Sequence, residues 1–174
     1  KKYYNIKSDN IALIAPSVND LTQIIEILTR FERVDNWEFL VKPHPSQALL
    51  DTQNEIDKFK LKIDLKVISS TDINEMIMFS DLIISGYSSV AIEALYYGKK
   101  SIRASKVGEF PVFEYEKEIP VFYSSLNFYN WFLSQATSKK EGNELRTLYN
   151  HYFSNQNQET KQAFWEFMES EKLI

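Results

Sequence analysis

Short, continuously apolar runs alternate with amphipathic stretches over the first two-thirds of the chain, and no other feature constrains the fold as much. The run Ile11-Ala12-Leu13-Ile14-Ala15 has no polar member. A strand reads this way when both of its faces are covered, which is the situation of a parallel sheet flanked by helices. Pro16-Ser17 ends the run. From about Asn19, residues Leu21, Ile24, Ile25, Leu28 and Phe31 recur at three- and four-residue intervals, which predicts a helix laying one apolar stripe on the sheet. The unit then repeats. Trp37 to Val41 reads as a strand followed by a polar helix from Asp51 to Lys60, and Leu65 to Ile68 as a strand followed by a helix from Asp72 to Phe79. Asp81 to Ser85 leads into a helix from Ser88 to Tyr97, stopped by Gly98, a residue suited to the left-handed cap. Lys100 to Ala104 and Pro120 to Tyr123 supply a fifth and a sixth strand. The predicted fold is α/β: a doubly wound, Rossmann-like parallel sheet of about six strands with a helical C-terminal tail.

The tail begins at Leu126, where the pattern turns helical and aromatic: Phe128, Trp131 and Phe132, then Leu145, Leu148, Tyr149 and Tyr152, then Phe164, Phe167 and Met168. At such spacing Trp131, Phe132, Tyr149, Tyr152 and Phe153 are expected to be core. Residues 1–125 are read as the Rossmann-like, nucleotide-binding domain and residues 126–174 as a helical extension packed on it. A length of 174 residues suits one domain, and 44% apolar against 25% charged residues is enough to build a core, which excludes global disorder.

Composition also removes several classes of chemistry. The chain has no cysteine, so disulfides, thiolate nucleophiles and cysteine zinc sites are excluded, and two histidines, His44 and His151, are too few for a histidine-rich metal site. A net charge of -4 argues against binding a nucleic-acid backbone with a cationic surface. No apolar run approaches the ~20 residues of a membrane-spanning helix. The expected setting is cytoplasmic, with any membrane contact peripheral and at the inner face. Because Lys1 lies so close to the first strand, an upstream domain is expected outside these residues.

In an open parallel sheet, ligands bind beyond the carboxyl ends of the strands where the strand order reverses. Three loops meet that condition if the order is 3-2-1-4-5-6: Pro16-Ser17, Lys42-Pro43-His44-Pro45-Ser46, and Ser85-Gly86-Tyr87-Ser88-Ser89. Gly86 gives the last loop room to turn, and Ser88 or Ser89 can cap the helix that follows. The first turn of a helix suits a phosphate, but its dipole contributes only about 0.3–1 kcal/mol, so further partners are needed. His44, stiffened by Pro43 and Pro45, is the natural one. An imidazole N–H donated to a phosphate is a charge-assisted bond of about 1.5–3 kcal/mol and helps a departing phosphate carry its charge. Glu93, four residues after Ser89, faces the same side and suits the hydroxyls of a ribose. Lys42, Arg103 and Lys106 are candidates for neutralising a diphosphate, and Gly108-Glu109-Phe110-Pro111 for closing over a base. Each has a bland counterpart: an ordinary N-cap serine, a solvent-facing glutamate, a solvated lysine or arginine. His151 is read as structural.

The segments KPHPS (42–46) and DLIISGYSSVAIEALYYGKKSI (81–102), with IAPS at the first strand, resemble the carboxyl-terminal, donor-binding domain of GT-B glycosyltransferases. Within that group, paired His-Pro and Ser-Ser motifs are most similar to bacterial enzymes of capsule and wall-polymer synthesis, the sialyltransferases and the CDP-glycerol glycerophosphotransferases. The resemblance covers roughly Ile11 to Ile102. It implies that His44, with Pro45, binds and stabilises the nucleotide phosphate as it leaves, that Ser88 and Ser89 hold phosphate, and that Glu93 takes the ribose. Ser17, Gly86, Tyr87, Lys42 and Arg103 would complete the donor site. The implied mechanism is group transfer by positioning and leaving-group stabilisation, with no covalent protein intermediate and no required metal or other cofactor. The partner is a nucleotide-sugar or CDP-glycerol-like donor, CMP- or CDP-linked, with UDP left open. An amino-terminal domain would bring the acceptor and the general base across a cleft. Two alternatives stand beside this: a UDP-sugar 2-epimerase-like domain, which carries a similar histidine-proline segment, and a non-enzymatic doubly wound interaction module.

Overall fold

Apolar strands must satisfy their backbone polar groups on one another, and here six of them do so in a single sheet. The computed structural model describes residues 6–32, 34–69, 72–106 and 119–137. The strands are β1 (Asn10–Ile14), β2 (Trp37–Val41), β3 (Leu65–Val67), β4 (Leu82–Ser85), β5 (Lys100–Ala104) and β6 (Val121–Phe122). They lie in the order β3-β2-β1-β4-β5-β6 and every pair is parallel. This is the expected doubly wound order, with β1 and β4 flanking the point of reversal.

Helices α1 (Leu21–Leu28), α2 (Leu49–Asp57), α3 (Ile73–Phe79), α4 (Val90–Tyr96) and α5 (Ser125–Thr137) connect and cover the strands. Alternate residues of β1 enter different layers. Ala12 and Ile14 pack with residues of α1 and α5, while Ile11 and Leu13 pack with Met76 and Ile77 of α3 and Ala94 of α4. A strand between two apolar layers has no place for a polar side chain, which is why the run reads as it does. All five residues of the predicted stripe, Leu21, Ile24, Ile25, Leu28 and Phe31, are buried.

Phe31 is fully buried just past the end of α1, with ring centroids 5.0 Å from Phe128 and Phe132, 5.3 Å from Tyr129 and 5.9 Å from Phe39. Phe128 and Phe132 are four residues apart on α5, so one face of that helix carries both into the same cluster. The core expectation therefore holds for Phe132, while Trp131 is half-buried against the same cluster. Leu145 and everything later in the tail, His151 included, lie outside the described residues, as does the Gly108–Pro111 loop.

Several element boundaries differ from expectation at their ends, for local reasons. Helix α3 begins at Ile73 because the Asp72 side chain caps it, accepting from the Asn74 N–H at 2.9 Å. Helix α4 begins at Val90 rather than Ser88, because Ser88 and Ser89 form the turn that precedes it. At its other end Gly98 has φ +65, and the N–H groups of Gly98 and Lys99 return to the carbonyls of Leu95 and Ala94. That is the predicted left-handed stop. Among the described residues, no helix is long and apolar enough to cross a membrane.

Candidate functional site at the carboxyl ends of β1, β2 and β4

The three candidate loops leave adjacent strands at one level. Ile14, Val41 and Ile84 are register partners across β2, β1 and β4, and the ladder continues one residue further as Lys42 N–H donates to Ile14 and Ala15 N–H to Ile84. With one strand between them, β2 and β4 are roughly 10 Å apart. The loop after β1 sits in the middle and is tied to both neighbours. On one side the Gln47 amide donates to the Val18 carbonyl at 2.8 Å. On the other, the Tyr87 N–H donates to Asp20 at 2.7 Å.

His44 is half-buried in the loop after β2, between buried Pro43 and exposed Pro45. The Ser46 N–H donates to its Nδ1 at 3.2 Å, and the Ser46 hydroxyl lies 2.8 Å from the same atom. A backbone N–H can only donate, so Nδ1 carries a lone pair and the neutral ring holds its proton on Nε2. The His44 carbonyl accepts from Gln47 N–H at 2.9 Å, closing the loop into a turn. Nε2 has no protein partner among the described residues. The ring is thus fixed at one nitrogen and presents a donor at the other.

The residue that organises the site was absent from the sequence reading. Asp20, only 1% exposed, accepts the Ser17 N–H at 2.7 Å, the Ser17 hydroxyl at 2.7 Å and the Tyr87 N–H at 2.7 Å. A buried carboxylate requires several such donors. The signal was present: Ser17-Val18-Asn19-Asp20 before an apolar run is a reciprocal capping pattern. Both donors of Ser17 are therefore directed at Asp20.

Gly86 also proves to be required for a different reason than expected. Its backbone is not in the left-handed region, which among the described residues is occupied only by Asn36 and Gly98. The glycine is instead a matter of close approach, since a Cβ placed on it would lie 2.5 Å from the Asp20 carboxyl carbon and 2.7 Å from Asp20 Cβ. Arg103, 5% exposed, extends from β5 and donates through Nη1 to the Gly86 carbonyl. It is a buried, anchored arginine rather than a solvated one.

Beyond Gly86, Tyr87 and Ser89 are exposed and Ser88 half-buried. The Ser88 hydroxyl accepts the Val90 N–H at 3.3 Å; Ser89 stands at the N-cap position, but its side chain makes no capping bond and donates instead to the Glu93 carboxylate at 2.8 Å. Glu93 does face the same side as Ser89. The N–H groups of Ser88 and Ser89 have no protein acceptor among the described residues. Lys42 is half-buried at the end of β2 and Lys106 exposed beyond β5. Among the described residues no group of three or more acidic or histidine side chains is arranged to hold a metal ion.

The architecture these facts define is a Rossmann-like α/β domain with β1 and β4 at its topological switch point. No protein-family pattern and no curated protein matches the chain. Solved structures do. The wall teichoic acid polymerase TagF is 15% identical with a TM-score of 0.61, covering 98% of this chain and 45% of that one. The glycosyltransferase SnogD from Streptomyces nogalater is 11% identical with a TM-score of 0.53, covering 86% and 42%. The UDP-GlcNAc 2-epimerase from Neisseria meningitidis, solved with UDP-GlcNAc, is 12% identical with a TM-score of 0.51, covering 85% and 40%. At these identities the likeness is one of fold. The chain spans less than half the length of each of these structures.

Proposed function

We propose that this chain is the donor-nucleotide-binding half of a GT-B-type glycosyltransferase or glycerophosphotransferase that builds a cell-surface polysaccharide from a cytidine-nucleotide donor. The carrying observation is the meeting of three strand-end loops at one switch point, with a free imidazole N–H on one side and free backbone N–H groups on the other. Donors without protein acceptors, at the carboxyl ends of the strands, suit an anion. His44 donates through Nε2 to the phosphate that becomes the leaving group, and the Ser88–Ser89 turn holds the same phosphate. Glu93, already oriented by Ser89, accepts from the ribose hydroxyls. TagF has been solved after a soak with CDPG and MnaA from S. aureus with UDP, which supports a nucleotide as the ligand class. No group placed as a general base stands in these loops, so acceptor activation is assigned to the rest of a longer protein. An epimerase-like domain is the second reading, since an epimerase shares the fold.

Calorimetric titration of CMP, CDP, UDP and GDP into the chain tests this reading. Saturable binding is expected, tightest for a cytidine nucleotide, and His44→Ala is expected to weaken it about tenfold or more, the loss of one charge-assisted bond. UDP binding tightest would favour the epimerase-like reading. Absence of binding to all four would refute a nucleotide site, and unchanged affinity in His44→Ala would remove that residue from it.

A further inference from the structure

Asp20 and Arg103 hold opposite ends of the same peptide bond. The carbonyl of Gly86 accepts from Arg103 Nη1, and the N–H of Tyr87, the other half of that peptide unit, donates to Asp20 Oδ2 at 2.7 Å. A peptide dipole has its positive end at N–H and its negative end at C=O, so a carboxylate at the first and a guanidinium at the second are both attractive. Reversing the peptide makes both repulsive. The two side chains are 1% and 5% exposed, so water screens neither interaction. The anchors come from different parts of the fold. Asp20 stands at the start of α1, where it also holds Ser17, and Arg103 stands on β5 opposite Ser85 of β4.

From this geometry we infer that Asp20 and Arg103 are a pair of positioning residues, whose function is to fix the Gly86–Tyr87 peptide and so present the N–H groups of Ser88 and Ser89 in a single orientation. A turn containing glycine has more backbone states than any other, and a ligand that needs one of them binds more weakly by the fraction of time the others are occupied. Charge pairing across the peptide removes that loss before a ligand arrives. Arg103 then acts on ligand affinity through the loop, as Asp20 does, rather than as a direct phosphate contact. The ligand part of this inference rests on the nucleotide reading; the hold on the peptide does not.

The test combines amide hydrogen exchange with CDP titration of the 174-residue chain, its Asp20→Ala and Arg103→Gln variants, and the double variant. In the wild type the Tyr87 amide is expected to exchange about 100-fold slower than an unprotected amide. Each variant should speed that exchange about tenfold or more while the amide of Leu13, in the central strand, changes less than about threefold. Each should also weaken CDP binding by about tenfold, with the double variant no weaker than the worse single one, because both act through one peptide. A freely exchanging Tyr87 amide in the wild type would overturn the inference even if no variant folds. So would Tyr87 exchange unchanged in both variants, or additive losses of CDP affinity. Should the wild type bind no CMP, CDP or UDP, the nucleotide reading fails, and the exchange rates alone decide whether the peptide is held.

Discussion

Phe31→Ala is expected to destabilise the fold by about 3–5 kcal/mol, a large part of the roughly 5–15 kcal/mol that holds a domain of this size together. The ring is fully buried and meets four others, three of them on α5. Removing it opens a cavity between the sheet and two helices that come from opposite ends of the described sequence. No neighbouring side chain is positioned to fill it, because Phe128 and Phe132 are themselves packed on Phe122 and Trp37. Urea unfolding followed by tryptophan fluorescence would measure the loss. A decrease below about 1 kcal/mol would mean that α5 does not seal the core in solution.

The second large effect is expected at Gly86. A methyl group there meets the carboxyl carbon and Cβ of Asp20 at 2.5 and 2.7 Å, well inside contact distance. Rotating the carboxylate away gives no relief, since Asp20 Cβ is itself in the way and the carboxylate is held by three hydrogen bonds. Gly86→Ala should therefore lower stability by about 1–3 kcal/mol and, by displacing the turn that carries Ser88 and Ser89, weaken nucleotide binding about tenfold or more. Gly98→Ala is the matched control. Nothing lies within 4 Å of a Cβ at that position, so its effect is confined to the strain of φ +65, about 1 kcal/mol, far from the site. Thermal unfolding and calorimetry on both variants separate the two cases. Equal losses of nucleotide affinity would show that close approach at Gly86 has no bearing on the site.

The contrast between these glycines marks where sequence reasoning reaches and where it stops. Gly98 was legible because helix termination is local: the apolar pattern ends, and a left-handed residue follows. The strands were legible for a related reason, since a run such as Ile11–Ala15 tolerates only a central, doubly covered position; their order entered only as a condition, because spacing along the chain does not say which strands pair. Phe132 declared itself by helical spacing. Gly86 was recognised as special, but its cause is a carboxylate 66 residues earlier in the chain, which no local pattern reveals. Ser17 three residues earlier marks Asp20 as a capping residue, but not its burial, which the Tyr87 N–H, a partner supplied by the fold, helps to make tolerable. Arg103 was chosen for its charge, whereas its position opposite Ser85 turns that charge onto the Gly86 carbonyl. The start of α4 was misplaced by two residues because Ser88 and Ser89 precede the first helical residue as its cap rather than belonging to the helix.

In the proposed site, His44 and the Ser88–Ser89 turn serve one anionic group across the strand that separates them. An NMR titration with CDP, following the His44 ring and the amides of Ser88 and Ser89 in the same samples, tests this directly. All three sets of signals are predicted to shift together along one binding curve, and His44→Ala to flatten the serine curve over the same range of concentration. Serine amides that shift with unchanged affinity in His44→Ala, or a histidine ring that stays silent while they move, would contradict it.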